Sequence, residues 1–241
     1  MAHRKAFSII ELMVVISIIM ILISILLPSL RETTKTSKRL KCMNNQHDLL
    51  GAWAAYSIDN KRLLVKAHPA GGDRWVRGGN SEAIITGGAL YDYVNNIDLY
   101  RCPEDWTNHV RTYSMNNFLA GGGWPHQPWR SPIRYSTTIQ RPGQQMVFVE
   151  ENDPRGWNLG SWVIYPDTHP SRSDRWIDYV GVFHDDGDNV GFSDGHVEYW
   201  EYEDSRTRKF GDGGWHFFSR HPDNADLKRY QSVYNPGSPP Y

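Results

Sequence analysis

Cysteine is scarce in this chain, with Cys42 and Cys102 the only two among 241 residues. Two cysteines cannot make a four-ligand zinc site without histidine help, and an even pair is a disulfide candidate wherever a domain lies outside the cytoplasm. Net charge is also lacking: 26 Lys and Arg against 27 Asp and Glu give −1. No bulk attraction to nucleic acid follows from that balance. No internal repeat is visible. What the chain has in excess is aromatic side chains, ten Trp and thirteen Tyr, which supply large core area with polar tips. Core packing is their ordinary use. Sugar stacking by an exposed pair such as Trp124 and Trp129 is the alternative, and nothing in their spacing selects it.

One stretch organises the rest. Phe7 to Leu27 carries a single charge, Glu11, and three serines in twenty-one residues. It has no polar face, unlike the helix of a soluble core. At ~1.5 Å per residue it is long enough to cross a bilayer core of ~30 Å. Six residues precede it, with His3-Arg4-Lys5 basic. A secretory signal peptide also starts basic, but its apolar run is shorter and ends in a small-residue cleavage site. This run meets Pro28, Ser29 and Leu30 instead. Glu11 is costly inside a membrane and needs a reason to be there. Either it reaches the headgroups, or it meets a positive charge on a neighbouring chain.

The segment Ala6-Phe7-Ser8-Ile9-Ile10-Glu11 resembles the processing site of type IV prepilins and type II secretion pseudopilins. In that family a prepilin peptidase cuts before the Phe and the new amino group is methylated. The Glu then neutralises the amino terminus of an adjacent subunit. Pro28 matches a proline that often kinks the family's helix. The family usually has Gly where Ala6 stands.

Beyond Leu27 the helix is expected to continue through Pro28 and end near Asp59-Asn60. Phe7 to Asp59 would make a rod of ~80 Å. From Leu40 the positions Leu40, Met43, His47, Leu50, Ala54 and Ile58 recur at spacings of three and four, which predicts one stripe against a domain. Arg31 to Lys41 holds five basic residues. Charge counting alone would therefore keep the large domain in the cytoplasm. The resemblance implies the opposite orientation, and we follow it, setting the basic run against headgroups or a neighbour's acids. In such a domain Cys42 and Cys102 are expected to pair across the helix–domain junction, closing a long loop worth ~3–5 kcal/mol in the chain-entropy picture.

From Lys61 onward glycine pairs punctuate short segments. Ala89 to Asn95 reads as a short helix or turn. Gln145 to Glu150 reads as a strand after an Arg141-Pro142-Gly143 turn, and Trp162–Tyr165 and Trp176–Phe183 as extended. Val190 to Tyr202 reads as a hairpin, with Asp194-Gly195 as a two-residue turn. Residues 201–241 read as a surface loop or frayed end. The fold class is α+β: residues 1–6 a leader, 7–60 the helix (7–27 in the membrane), and 61–241 a β-rich domain.

A second resemblance lies here. His184, nine intervening residues and Asp194-Gly195 resemble the H-X9-DG carboxy-terminal signature of large pilin-like proteins. Cys42-Met43-Asn44-Asn45 with Leu49 and Leu50, Arg101-Cys102-Pro103 and Tyr113-Ser114-Met115-Asn116 also look like landmarks of that group.

Three constellations bear on chemistry. Gly191-Phe192-Ser193-Asp194-Gly195 fits the Gly-x-Ser-x-Gly pattern, but that motif needs a strand-to-helix turn and here a strand follows. The acidic loop 184–189 is either a solvated turn or a calcium site, since oxygen-rich loops hold calcium. His184 with His196 would suit a transition metal, although a hydrogen-bonded histidine at a turn is commoner. The resulting expectation is a non-enzymatic pilin-like subunit in the bacterial inner membrane, its domain periplasmic, requiring no cofactor. Its partners would be other copies or other pilin-like subunits, prepilin peptidase, an inner-membrane assembly platform and lipid. The alternatives are a membrane-anchored, aromatic-rich glycan-binding protein and a membrane-tethered enzyme.

Overall fold

The structure is a computed structural model; it describes residues 8–68, 72–120, 132–156, 160–167, 169, 171–214, 216 and 218–236. Helix α1 runs from Ile9 to Asp59 without a break, 51 residues. Ser8 caps it: its hydroxyl accepts from the Ile10 amide at 3.3 Å, and Glu11 returns to accept from the Ser8 amide at 2.9 Å. This reciprocal pair is a capping box and satisfies amides that have no partner inside the helix. Along the apolar half, Ser17 and Ser24 donate to the carbonyls of Met13 and Ile21, both at 2.7 Å, so neither hydroxyl is left bare. Pro28 lies inside the helix and leaves the Ser24 carbonyl without the amide an ordinary residue would supply.

The buried face of α1 is not the one its apolar letters suggest. Cys42, Asn45, Gln46, Leu49, Leu50, Trp53 and Tyr56 point inward, while Leu40 and Ile58 are 52% and 59% exposed and His47 faces solvent. The stripe is rotated because two amides sit in it. Asn45 Nδ2 donates to the Arg101 carbonyl at 3.1 Å and Gln46 Nε2 to the Asn189 carbonyl at 2.9 Å. Each amide nitrogen thus has a backbone partner inside, so polarity alone does not mark the outer face.

The helix lies on a five-stranded sheet. The strands are β1 (Tyr113–Asn116), β2 (Met146–Glu150), β3 (Ser161–Trp162), β4 (Gly187–Phe192) and β5 (Val197–Glu201), in the order β3-β1-β2-β4-β5. All pairs are antiparallel except β1 with β3. The class is therefore α+β with a mainly antiparallel sheet, as expected. Short helices α2 (Glu82–Thr86) and α3 (Tyr91–Val94) edge the α1 side.

Strand β2 carries a bulge. Met146 pairs with Phe192 and Phe148 with Gly191, so Val147 is an extra residue. Met146 joins the core on the far side of the sheet, whereas Phe148 joins the core under α1. The bulge thus re-phases the strand and turns Glu150, two residues beyond Phe148, to the α1 face.

The far face has its own cover, contrary to the reading of residues 201–241 as a loop or frayed end. Helices α4 (Ser205–Gly211) and α5 (Ala225–Tyr234) are capped by Asp204 and Asn224. They bring Phe210, Leu227, Tyr230 and Tyr234 against Trp162, Trp176 and Trp200. Trp200 and Trp162 approach Tyr230 at 5.0 and 5.3 Å, and Trp176 stacks on Phe210 at 5.7 Å. Five of the six described tryptophans (Trp53, Trp75, Trp162, Trp176 and Trp200) are buried, and Trp106 is exposed. Trp124 and Trp129 lie outside the described residues.

Gly191 sets the distance between α1 and the sheet. A Cβ there would meet Gln46 Oε1 and Leu50 Cδ1, each at 3.0 Å. Gly191→Val should therefore push the helix off and destabilise the domain by about 1–3 kcal/mol, the usual cost of overpacking. Denaturant unfolding of the full chain in detergent micelles checks this, and an unchanged midpoint would show that the contact carries no weight.

Candidate functional site

Two regions carry the residues singled out by sequence. The first is the amino-terminal half of α1. Its large apolar side chains from Ile9 to Leu27 and at Leu30 stand exposed, between 45% and 77%. Among the described residues, none of the domain covers any part of the apolar window. Glu11 is at its outer end in the capping box, with one carboxylate oxygen engaged by the Ser8 amide. The signal for that cap was present as Ser-x-x-Glu at Ser8 and Glu11. Ala6 and Phe7 lie outside the described residues.

The basic run after the span is tied to its own domain. Lys35 pairs with Asp185 at 2.8 Å, Lys38 with Glu104 at 3.3 Å, and the Arg39 guanidinium sits 4.3 Å over the Tyr199 ring. Three of its five cations thus have partners within the chain, where headgroups or a neighbour's acids were expected.

The second region is buried. Cys42 from α1 and Cys102 come together as expected, but as free thiols and not as a disulfide. The two sulfurs lie within 4.8 Å of each other, and each also has other partners. Cys42 Sγ lies 2.9 Å from Tyr113 Oη and contacts Glu150 Oε1, while Cys102 Sγ lies 3.2 Å from His184 Nε2. His184 Nε2 is also 3.0 Å from Glu150 Oε1. All four residues are 3% exposed or less. Burial disfavours a charged imidazole, yet the Glu150 carboxylate outweighs it and raises His184 to about 11. Burial likewise opposes ionising Glu150, and His184 holds its carboxyl below the usual range. Burial drives the Cys42 thiol well up.

Glu150 was missed by sequence reading. It closes the apolar run Met146-Val147-Phe148-Val149, where an acid reads as the solvent end of a strand. The bulge at Val147, which aims it inward, has no clear signature in those letters.

The other candidates separate. Asp194-Gly195 does form the β4–β5 turn, but the loop has three residues, Ser193 to Gly195. Gly191 pairs with Val197, the Phe192 amide donates to the His196 carbonyl at 2.9 Å, and only Gly195 of the dipeptide has positive φ, at 102°. A three-residue loop closed by a left-handed glycine matches strand twist as well as the two-residue form does. His196 bonds Asp194 at 2.5 Å and stacks on Phe192, so it does not join His184. Ser193 donates to the Pro142 carbonyl at 3.0 Å within this hairpin, which is not the strand-to-helix turn of a hydrolase nucleophile. In the acidic loop, Asp185 goes to Lys35, Asp186 to Arg208 and Asp188 to Tyr230 Oη at 2.8 Å. Those carboxylates diverge.

A long helix with a domain-bound half and a bare apolar half long enough to cross a membrane, set on a mainly antiparallel sheet, makes an α+β architecture consistent with the pilin fold. Residues 1–27 match the family model described as the prokaryotic N-terminal methylation motif. The amino terminus thus carries the motif of type IV pilin-like precursors; the match does not extend to the segment from His184 to Gly195. No curated protein and no solved structure matches the chain.

The free-thiol arrangement is checked by alkylation without reductant. The folded chain should resist labelling, and the denatured chain, with chelator present, should take up two labels. No labels after denaturation would mean that the cysteines are bonded to each other.

Proposed function

We propose that the chain is a pilin-like subunit that is cut between Ala6 and Phe7 by prepilin peptidase and then assembles through α1 into a type II secretion or type IV pilus-like filament. The observation that carries this reading is the bare apolar half of α1 on a chain whose first 27 residues match the methylation motif. In the membrane this surface meets lipid, and in a filament it meets the same surface on neighbouring subunits. The helix starts in the inner membrane with the leader cytoplasmic and the domain periplasmic. The function is mechanical: subunits pass from membrane to filament under an inner-membrane assembly platform, and no cofactor chemistry enters that step.

Glu11 has two tasks in this scheme. One carboxylate oxygen caps its own helix. The other receives the methylated amino group of a neighbour, which cancels the cost of burying either charge in a low-dielectric filament core. Two substitutions separate the tasks. Glu11→Gln keeps a capping-box acceptor but removes the charge, and Glu11→Ala removes both. Both variants should insert and keep a folded, protease-resistant domain, and both should yield few sheared filaments. Normal filament yield from Glu11→Gln would reduce Glu11 to a cap and contradict the pairing. The mature protein should begin with methylated Phe7 by mass spectrometry, and an intact Met1 beside active prepilin peptidase would overturn the processing.

A further inference from the structure

We propose that Cys42, Cys102, Glu150 and His184 bind one zinc ion that fastens α1 to the sheet. The four side chains come from α1, from the loop after Tyr100, from β2 and from the lead into β4, so no local folding rule brings them together. Their donor atoms all lie within 4.8 Å of one another. A tetrahedral zinc with bonds of ~2.0–2.3 Å separates its ligand atoms by roughly 3.3–3.8 Å, so small side-chain shifts seat the ion. Two thiolates, an imidazole and a carboxylate suit a borderline ion such as zinc, whereas calcium and magnesium take oxygen. With every donor buried, the site is of the closed, structural kind.

The surroundings are those of a ligand set. His184 Nδ1 faces the Glu104 carboxylate at 3.4 Å, and Glu104 is held in turn by Lys38 at 3.3 Å. Nδ1 makes no hydrogen bond among the described residues, and the carboxylate beside it is placed to take its proton in the tautomer that leaves Nε2 free for metal. The Glu104 amide donates to Cys102 Sγ at 3.4 Å, a bond that favours thiolate. Asn189 Nδ2 donates to Glu150 Oε1 at 3.1 Å. Glu150 Oε2, fully buried, has no partner among the described residues. A buried carboxylate oxygen without a hydrogen bond is expensive, and a divalent cation taking the place of the His184 Nε2 proton would be a stronger partner for Glu150. Binding expels both thiol protons and the His184 Nε2 proton, and leaves the remaining imidazole proton on Nδ1 beside Glu104.

This inference stands independently of filament assembly and is tested on the full chain in detergent micelles. Metal analysis after purification without chelator should find one zinc per chain. The stripped protein titrated with Co2+ should develop the visible bands of a tetrahedral ion and thiolate-to-cobalt charge transfer, both removed by Zn2+. Cys42→Ser and Cys102→Ser should each lose charge-transfer intensity. Glu104→Gln leaves all four donors in place, so it should keep the band shape and weaken Co2+ binding about 10–100-fold. A wild-type chain that is folded by circular dichroism yet binds neither ion would overturn the proposal, as would a Cys42–Cys102 disulfide found by mass spectrometry. Unchanged affinity in Glu104→Gln would overturn the role given to Glu104.

Discussion

A helix of 51 residues cannot bury its whole length against one domain of this size. Everything else in the structure follows from how that length is divided. From Cys42 to Ser57 one face of α1 is buried against the sheet and its flanking turns; before Leu30 the domain buries none of it. The apolar half is therefore left bare by the domain, and it is the surface that the proposed assembly would pass from lipid to other helices. A bilayer supplies no water for stray polar groups, and this half has few: serines that bond their own backbone, and one capping glutamate.

The grip of the domain on the other half decides whether force on the helix reaches the sheet. That grip has an apolar part and a polar part. Leu49, Leu50 and Trp53 provide the first, seated closely because Gly191 has no side chain. Cys42, Asn45 and Gln46 provide the second, reaching a thiol–histidine–carboxylate cluster and two backbone carbonyls. Directional contacts of this kind fix the rotation of a helix on a sheet more narrowly than apolar burial does, since apolar contact tolerates sliding.

Much of this was legible in the letters, and what was not has physical causes. The apolar run, the Phe7-to-Glu11 spacing, strand β2 and the β4–β5 hairpin follow from strong local patterns. Cys42 and Cys102 stood out as a pair and His184 by itself, but the meeting of His184 with that pair depends on topology, which spacing does not encode. Glu150 stayed hidden because a bulge reversed the phase of its strand. The buried face of α1 was misplaced because Asn45 and Gln46, left out of the apolar stripe, in fact turn inward, where their amide nitrogens donate to backbone carbonyls. Helices α4 and α5 were overlooked in a polar stretch whose apolar positions, Phe210, Leu227, Tyr230 and Tyr234, are few and mostly aromatic. Their caps at Asp204 and Asn224 were the available signal.

The central claim is that the bare half of α1 exchanges lipid for neighbouring subunits. A photo-crosslinking residue at Ile16, 45% exposed in the middle of that half, tests it in cells that contain the assembly machinery. The account predicts protein–protein adducts to further copies or other pilin-like subunits, in ladders that disappear when the assembly ATPase is inactive. Adducts to lipid alone, unchanged by that inactivation, would contradict it and leave the chain a permanently anchored membrane protein.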